Sequence, residues 1–260
     1  MVIRIGPAGL GPAGTSLKTL EEYNRLGFKA CEIAFTYSIY IKNEHDARAI
    51  GKRADELDIK LSIHAPYWLN LNSSEKEKRE ATKKRILECC RVGEWLGAER
   101  VVFHPGYYGK NRGGAYEVIK SGIIEIMEEI KNNGWKIKIA PEIMGKINVF
   151  GSVDEISRLV RDTGCSFCID FAHILARDKK VDYDAVRELF SWKEWHCHFS
   201  GIVYGEKGEK HHRTTTREEW EKLLHNLTCK KDKGIIVINE SPTMIDDCVD
   251  GLKVARRLGL

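Results

Sequence analysis

Short β-branched apolar runs alternate along the chain with longer segments in which apolar residues recur at helical spacing among lysines and glutamates. That is the pattern of strand–helix units wound around a parallel sheet. Eight strands are predicted, over Val2–Ile5, Ala30–Phe35, Lys60–His64, Arg100–His104, Lys136–Glu142, Ser166–Asp170, Trp195–Phe199 and Ile235–Glu240, each leading into a segment able to form a helix. Ser152-x-x-Glu155 and Thr216-x-x-Glu219 have capping-box chemistry, and Pro242 marks a helix start just after the last strand. No Pro-, Gly- or Ser-rich linker interrupts the series, so the prediction is an α/β fold with a single domain over residues 1–260, a closed (β/α)8 TIM barrel. An open doubly wound sheet is the alternative. Gly9-x-Gly11-x-x-Gly14 and the later Glu32 mimic a dinucleotide fingerprint. Glu32, however, falls inside its strand and Pro7 and Pro12 stiffen the loop, so a tight strand–helix turn explains the glycines.

Composition narrows the classes. With 260 residues, 42% of them apolar, the chain suffices for one large core. Apolar runs such as Ile235–Ile238 fall far short of the roughly 20 residues a bilayer crossing needs. No basic, apolar leader follows Met1, so the cytoplasm is the expected location, with no membrane partner. Eight cysteines, including Cys89–Cys90 and Cys165-x-x-Cys168, read as reduced, buried thiols rather than a zinc or redox pair, because no second CxxC exists. Forty-two Lys and Arg against 38 Asp and Glu leave +4, so any polyanion must be held by local contacts. Abundant Lys and Glu without one glutamine is a bias of proteins from hot environments.

Of nine histidines, His45 and His225 lie in helical segments, whereas His64, His104, His173, His196, His198, His211 and His212 lie at strand ends or in the loops beyond them. Glu142, Asp170, Glu209 and Glu240 occupy the same kind of position. In a parallel barrel those ends converge on one face. Packing favours apolar residues there, and unpaired buried carboxylates are costly, so the repetition points to divalent metal, zinc or else manganese or iron. Each member has a blander reading. His64 and His104 could order the Pro-containing loops that follow them, Asp170 could cap a helix, and Glu209 and His211 could be solvated charges in a Gly/Lys-rich loop. His196 and His198, two apart on a strand, project to one side, so either could be the ligand with the other supporting it.

Ser-Ile-His64-Ala-Pro-Tyr67, Phe-His104-Pro-Gly, Pro-Glu142, Cys-Ile-Asp170-x-x-His173, His196-x-His198-x-Ser200, Glu209-Lys-His211-His212 and Asn-Glu240 together span nearly the whole chain. In order and placement this series resembles the endonuclease IV family of apurinic/apyrimidinic endonucleases, a branch of the xylose-isomerase-like barrels. The resemblance implies three zinc ions: the first on His64, His104 and Glu142, the second on Glu142, Asp170, His196 and Glu240, the third on His173, Glu209 and His211. His198 and His212 are then supporting or alternative ligands. It also implies cleavage of the phosphodiester 5′ to an abasic site in double-stranded DNA, by a hydroxide between two zincs that Glu142 bridges, with the lesion flipped from the duplex.

Tyr67 matches the family's tyrosine as a DNA contact and Trp68 and Leu69 are candidate apolar wedges; Lys110, Arg112, Lys210 and Arg213, with Lys42 and Lys207, are basic loop residues available to phosphates, solvated surface charge being the alternative. Two positions depart from the family. Glu209 stands where it has Asp, and Phe35–Tyr40 lacks the Arg/Gln-rich stretch that probes DNA in bacterial members. The expected protein is a monomeric zinc-dependent AP endonuclease. Two rivals share the barrel: a sugar isomerase or epimerase using one metal, and a DNA-lesion-binding module without turnover.

Overall fold

The computed structural model describes residues 2–110, 112–227 and 234–260. The element order is β1 (Val2–Pro7), α1 (Ser16–Leu26), β2 (Ala30–Ala34), α2 (Glu44–Glu56), β3 (Lys60–His64), α3 (Lys76–Leu96), β4 (Arg100–Phe103), α4 (Ala115–Asn132), β5 (Lys138–Pro141) and α5 (Val153–Thr163). It continues through β6 (Ile169–Asp170), α6 (Phe171–Asp178), α7 (Tyr183–Leu189), β7 (Glu194–Phe199), β8 (Gly201–Gly205), β9 (Gly208–Arg213), α8 (Arg217–Leu227), β10 (Gly234–Asn239) and α9 (Met244–Arg257).

Two parallel ladders, β2-β3-β4-β5 and β6-β7-β10-β1, make the barrel wall. Backbone hydrogen bonds close both seams: Ser166 N to Ile139 O (3.0 Å) and Cys168 N to Pro141 O (3.1 Å) on one side, Lys29 N to Ile5 O (3.1 Å) on the other. Gly6 permits the second approach, since a Cβ there would fall 1.6 Å from the Ala30 carbonyl oxygen. The strands follow one another in chain order around this ring, which excludes the open doubly wound alternative.

The main core lies between sheet and helices, around side chains such as Phe28, Phe103, Phe167 and Trp220. The barrel interior is different. It contains a small apolar cluster of Val102, Ala140 and Cys168, and two residues along the strands from these stand His104, Glu142 and Asp170. Side chains two apart on a strand share a face. Each of these three strands therefore sets one polar residue at the rim and another side chain a layer below.

Most predicted elements appear where the periodicity puts them, and the Ser152/Glu155 and Thr216/Glu219 boxes both form. Two differ. The sixth strand ends at Asp170 as expected, where Asp170 turns the chain into α6 by accepting the His173 backbone N–H at 2.7 Å, but it begins only at Ile169: residues 166–168 touch the β5 side through single bonds from Ser166 N and Cys168 N and a lone bridge at Cys168. The Gly/Lys-rich stretch after β7, expected as a loop, is the antiparallel hairpin β8–β9.

Candidate metal centre

Glu142, directly after β5, is the hub of the mouth. Its Oε2 lies 3.2 Å from His64 Nε2 and 3.1 Å from His104 Nε2, and its Oε1 lies 3.2 Å from His198 Nδ1 and 3.3 Å from His173 Nδ1. His198 Nδ1 is also 3.4 Å from Glu240 Oε2. On the far side His173 Nε2 lies 3.5 Å from Glu209 Oε2, and His212 Nε2 lies 3.9 Å from Glu209 Oε1.

The histidines are held as ligands are. A carbonyl can only accept, so His64 Nδ1 donates to Ala65 O (2.7 Å) and His173 Nδ1 to Ile143 O (2.9 Å). Each ring's Nε2 is thereby turned toward a carboxylate, and His212 is anchored likewise through Nδ1 on Ser200 Oγ (2.6 Å). Such anchoring fixes tautomer and orientation in metal sites.

Burial and charge shift these groups strongly. Burial pushes the Glu142 carboxyl up, but His198, His104 and His173 more than offset it and hold it well below the carboxylate range. The same contest, with His198 opposite, takes Glu240 down to about 2. Burial raises Asp170. Burial would lower His173, yet Asp170 and Glu142 carry it up to about 10. Without metal, then, imidazolium protons hold the carboxylates together, at positions where a cation can replace them.

The residues fit metal. Donor atoms of Glu142, Asp170, His198 and Glu240 lie within 4.8 Å of one another, as do those of His64, Glu142 and His198 and of His173, Glu209 and His212. Asp170 Oδ1 caps α6, but its buried Oδ2 has no hydrogen-bond partner, an acceptor that a cation would satisfy. Imidazole and carboxylate donors suit zinc, manganese or iron.

Residues 20–258 match the profile of the family described as the xylose isomerase-like TIM barrel. The chain belongs to that family. An uncharacterized protein of Methanocaldococcus jannaschii is 33% identical over 268 residues, covering 96% of this chain and 95% of that protein. A probable endonuclease 4 of Acholeplasma laidlawii is 32% identical over 135 residues, which span 49% of this chain and 44% of that protein. Solved structures of like fold include SacUVDE, with a TM-score of 0.75 at 16% identity over 100% of this chain and 99% of its own. Endonuclease IV from Thermus thermophilus has a TM-score of 0.71 at 21% identity, covering 98% of each chain. A D-psicose 3-epimerase has 0.69 at 16% identity, covering 98% of this chain and 97% of that one.

Within this xylose isomerase-like barrel several site residues stand elsewhere than expected. His196, assigned to the second ion, lies a layer beneath the mouth with Nε2 3.1 Å from Glu32 Oε2; His198 takes its place among Glu142, Asp170 and Glu240. Position along β7 decides this, because both rings point inward but only the later residue, level with Asp170, reaches the rim. His211 is exposed, and His212 faces Glu209 and His173. Here the reason is a β-bulge: Val203 pairs with His211 and Tyr204 with Glu209, so Lys210 is an extra residue and the side-chain alternation shifts by one.

Leu69, expected as a wedge, is wholly buried in the core. Arg213 is held by Glu219 at 2.7 and 3.0 Å, beside the α8 cap that Glu219 helps to form. Tyr67 stacks on His104 with ring centroids 5.3 Å apart and lines the cavity of about 560 Å³ above Glu240 and His173. Trp68 is half-exposed, its indole N–H donating to Tyr37 O (3.3 Å). Lys42, Lys110, Lys207 and Lys210 are exposed, and Arg112 is exposed with its guanidinium 4.1 Å from the Tyr108 ring centroid. Glu32, which the sequence offers only as part of a mimicked dinucleotide fingerprint, is fully buried against His196 and His198. Its signal was a lone carboxylate in the apolar strand Ala-Cys-Glu-Ile-Ala.

Proposed function

We propose that this chain, as a monomeric barrel domain, is a metal-dependent DNA repair hydrolase that cuts the phosphodiester 5′ to an abasic site in double-stranded DNA. Three ions would be held, zinc or else manganese or iron: the first by His64, His104 and Glu142, the second by Glu142, Asp170, His198 and Glu240, the third by His173, Glu209 and His212. The observation that carries the reading is the overlap of donor groups at one mouth, two of which share Glu142 and His198. Relatives named endonuclease 4 and the likeness to endonuclease IV and SacUVDE support it.

When bound, such ions supply Lewis-acid activation of water and of the scissile phosphate. The chain's own residues set the stage. Glu142 divides its two oxygens between the His64/His104 side and the His198/His173 side, fixing their spacing. Tyr67, flat against His104, covers that ring on its mouth side. Trp68 and the exposed Tyr37 offer aromatic faces at the rim for an unstacked base, and Lys110, Arg112 and Lys210 offer charge to phosphates.

A single-metal sugar epimerase would need only the Glu142, Asp170, His198 and Glu240 group, leaving His173, Glu209 and His212 without work. The deciding experiment supplies the zinc- or manganese-loaded protein with a duplex carrying one abasic site, and separately with ketohexoses. Incision on the 5′ side leaving a 3′-hydroxyl is expected; an intact duplex together with epimerised sugar would overturn the reading. Tight binding of the lesion without incision, metal being present, would favour the module without turnover.

A further inference from the structure

The layer beneath the mouth holds a carboxylate that the proposed reaction does not use. Glu32 is fully buried, and among the described residues no Lys or Arg pairs with it. Its Oε2 accepts a hydrogen bond from Ser62 Oγ (2.8 Å) and sits 3.1 Å from His196 Nε2. Its Oε1 lies 2.9 Å from His198 Nε2, yet off the ring's donor direction, so neither atom has a hydrogen bond of good geometry. The opposite nitrogen of the same ring, Nδ1, faces Glu142 and Glu240.

We propose that Glu32 is a positioning residue: through Nε2 it holds His198 in the tautomer and orientation that present Nδ1 to a metal among Glu142, Asp170 and Glu240. This rests on the metal reading given above. A carboxylate acting on a ligating imidazole keeps the proton on the far nitrogen and makes the near one a better donor. Ser62 and His196 fix Oε2 and so leave Oε1 for that task. A buried anion flanked by imidazoles and not by Lys or Arg is costly for packing alone. It is matched once His198 carries a proton on Nε2 and a cation on Nδ1.

The test uses the full chain loaded with zinc. Wild type, Glu32→Gln and Glu32→Ala are compared by bound zinc per chain, by zinc affinity against a chromogenic chelator, and by the ¹⁵N shifts of the histidine rings. Glu32→Gln, which keeps the shape but not the charge, should weaken one ion by about 10-fold and Glu32→Ala by up to ~100-fold, the usual range for losing such a partner. The ion at His173, Glu209 and His212 should be unaffected. In wild type the His198 shifts should mark Nδ1 as metal-bound and Nε2 as protonated. If both variants fail to fold, Ser62→Ala, which frees Oε2 without touching a ligand, must weaken the same ion. Unchanged affinity in folded Glu32 variants, or Nε2 ligation in wild type, overturns the proposal while leaving the metal centre standing. A wild type that binds no zinc overturns both.

Discussion

Two histidine pairs distinguish ligand from neighbour at the scale of single residues. His198→Ala should remove the ion shared with Glu142, Asp170 and Glu240 and lower activity by several orders of magnitude. His196→Ala should keep that ion bound, weakened as in Ser62→Ala rather than lost, and should also cost stability, about 1–3 kcal/mol, because it leaves Glu32 without one buried partner. Likewise His212→Ala should lose one ion per chain and His211→Ala none, as measured by elemental analysis; the reverse result would mean that the bulge at Lys210 does not form. Protonation offers a second check. His173 stays protonated up to about pH 10 without metal, whereas a ligating imidazole must be neutral. Binding at neutral pH therefore expels that proton, and affinity at this position should rise about tenfold per pH unit toward pH 10. Calorimetry in buffers of differing ionisation enthalpy reads the proton directly; none released at pH 7 would remove His173 from the ligands. Only part of this was legible in the residues. His64, His104, Glu142, Asp170, His173, Glu209 and Glu240 stand out because polar donors end apolar strands or follow just beyond them, but which of two neighbouring histidines reaches the rim depends on depth along the strand and on one inserted residue.

The hairpin β8–β9 is the element that completes the third donor group, and it docks on the turn after β5 through Glu209 N to Gly145 O (3.0 Å). Gly145 makes this approach possible, since a Cβ there would lie 2.8 Å from both Glu209 Cβ and His173 Cδ2. Gly145→Ala should force the two ligands apart. We expect a stability loss of about 1–3 kcal/mol from overpacking and a fall of ~10-fold or more in affinity for that one ion, with the other two retained. Equal affinity for all ions in this variant would separate the hairpin from the site. The sequence reads as a loop here because Gly205, Gly208 and a run of lysines hide a strand signal of period two, which the bulge then breaks. The short β6 is hidden for another reason: residues 166–168 have strand composition but bond to the β5 side only at Ser166 and Cys168, and that spacing is set by the neighbouring chain.

Across the whole molecule, five buried or half-buried carboxylates, Glu32, Glu142, Asp170, Glu209 and Glu240, converge on the barrel axis with imidazoles between them. Metal should therefore stabilise the fold as well as serve it. An ion present at 100 times its dissociation constant adds about 2.7 kcal/mol by mass action. Chelation should lower the melting temperature by roughly 5–10 °C for a chain of this size. A melt unaltered by chelator, with metal shown to be gone, would contradict this. No helix among the described residues is long and apolar enough to cross a membrane.

The sequence by itself determined the barrel and the face on which its chemistry collects, because strand period, helix period and the bias of His, Asp and Glu to strand ends are local properties that fold class inherits. It also determined that the seven thiols among the described residues would be buried, Cys229 lying outside them, and that the glycine-rich turn after β1 was no nucleotide fingerprint. The tertiary structure alone decided the finer allocation. Whether Glu32 is a lone strand carboxylate or the partner of His198, whether Leu69 touches solvent, and whether Arg213 is open to a phosphate or bound to Glu219 all depend on contacts between residues far apart in sequence or across elements. Depth along the barrel axis and register in the hairpin are set by how strands stagger and where one bulges, and no periodicity within a single segment encodes them.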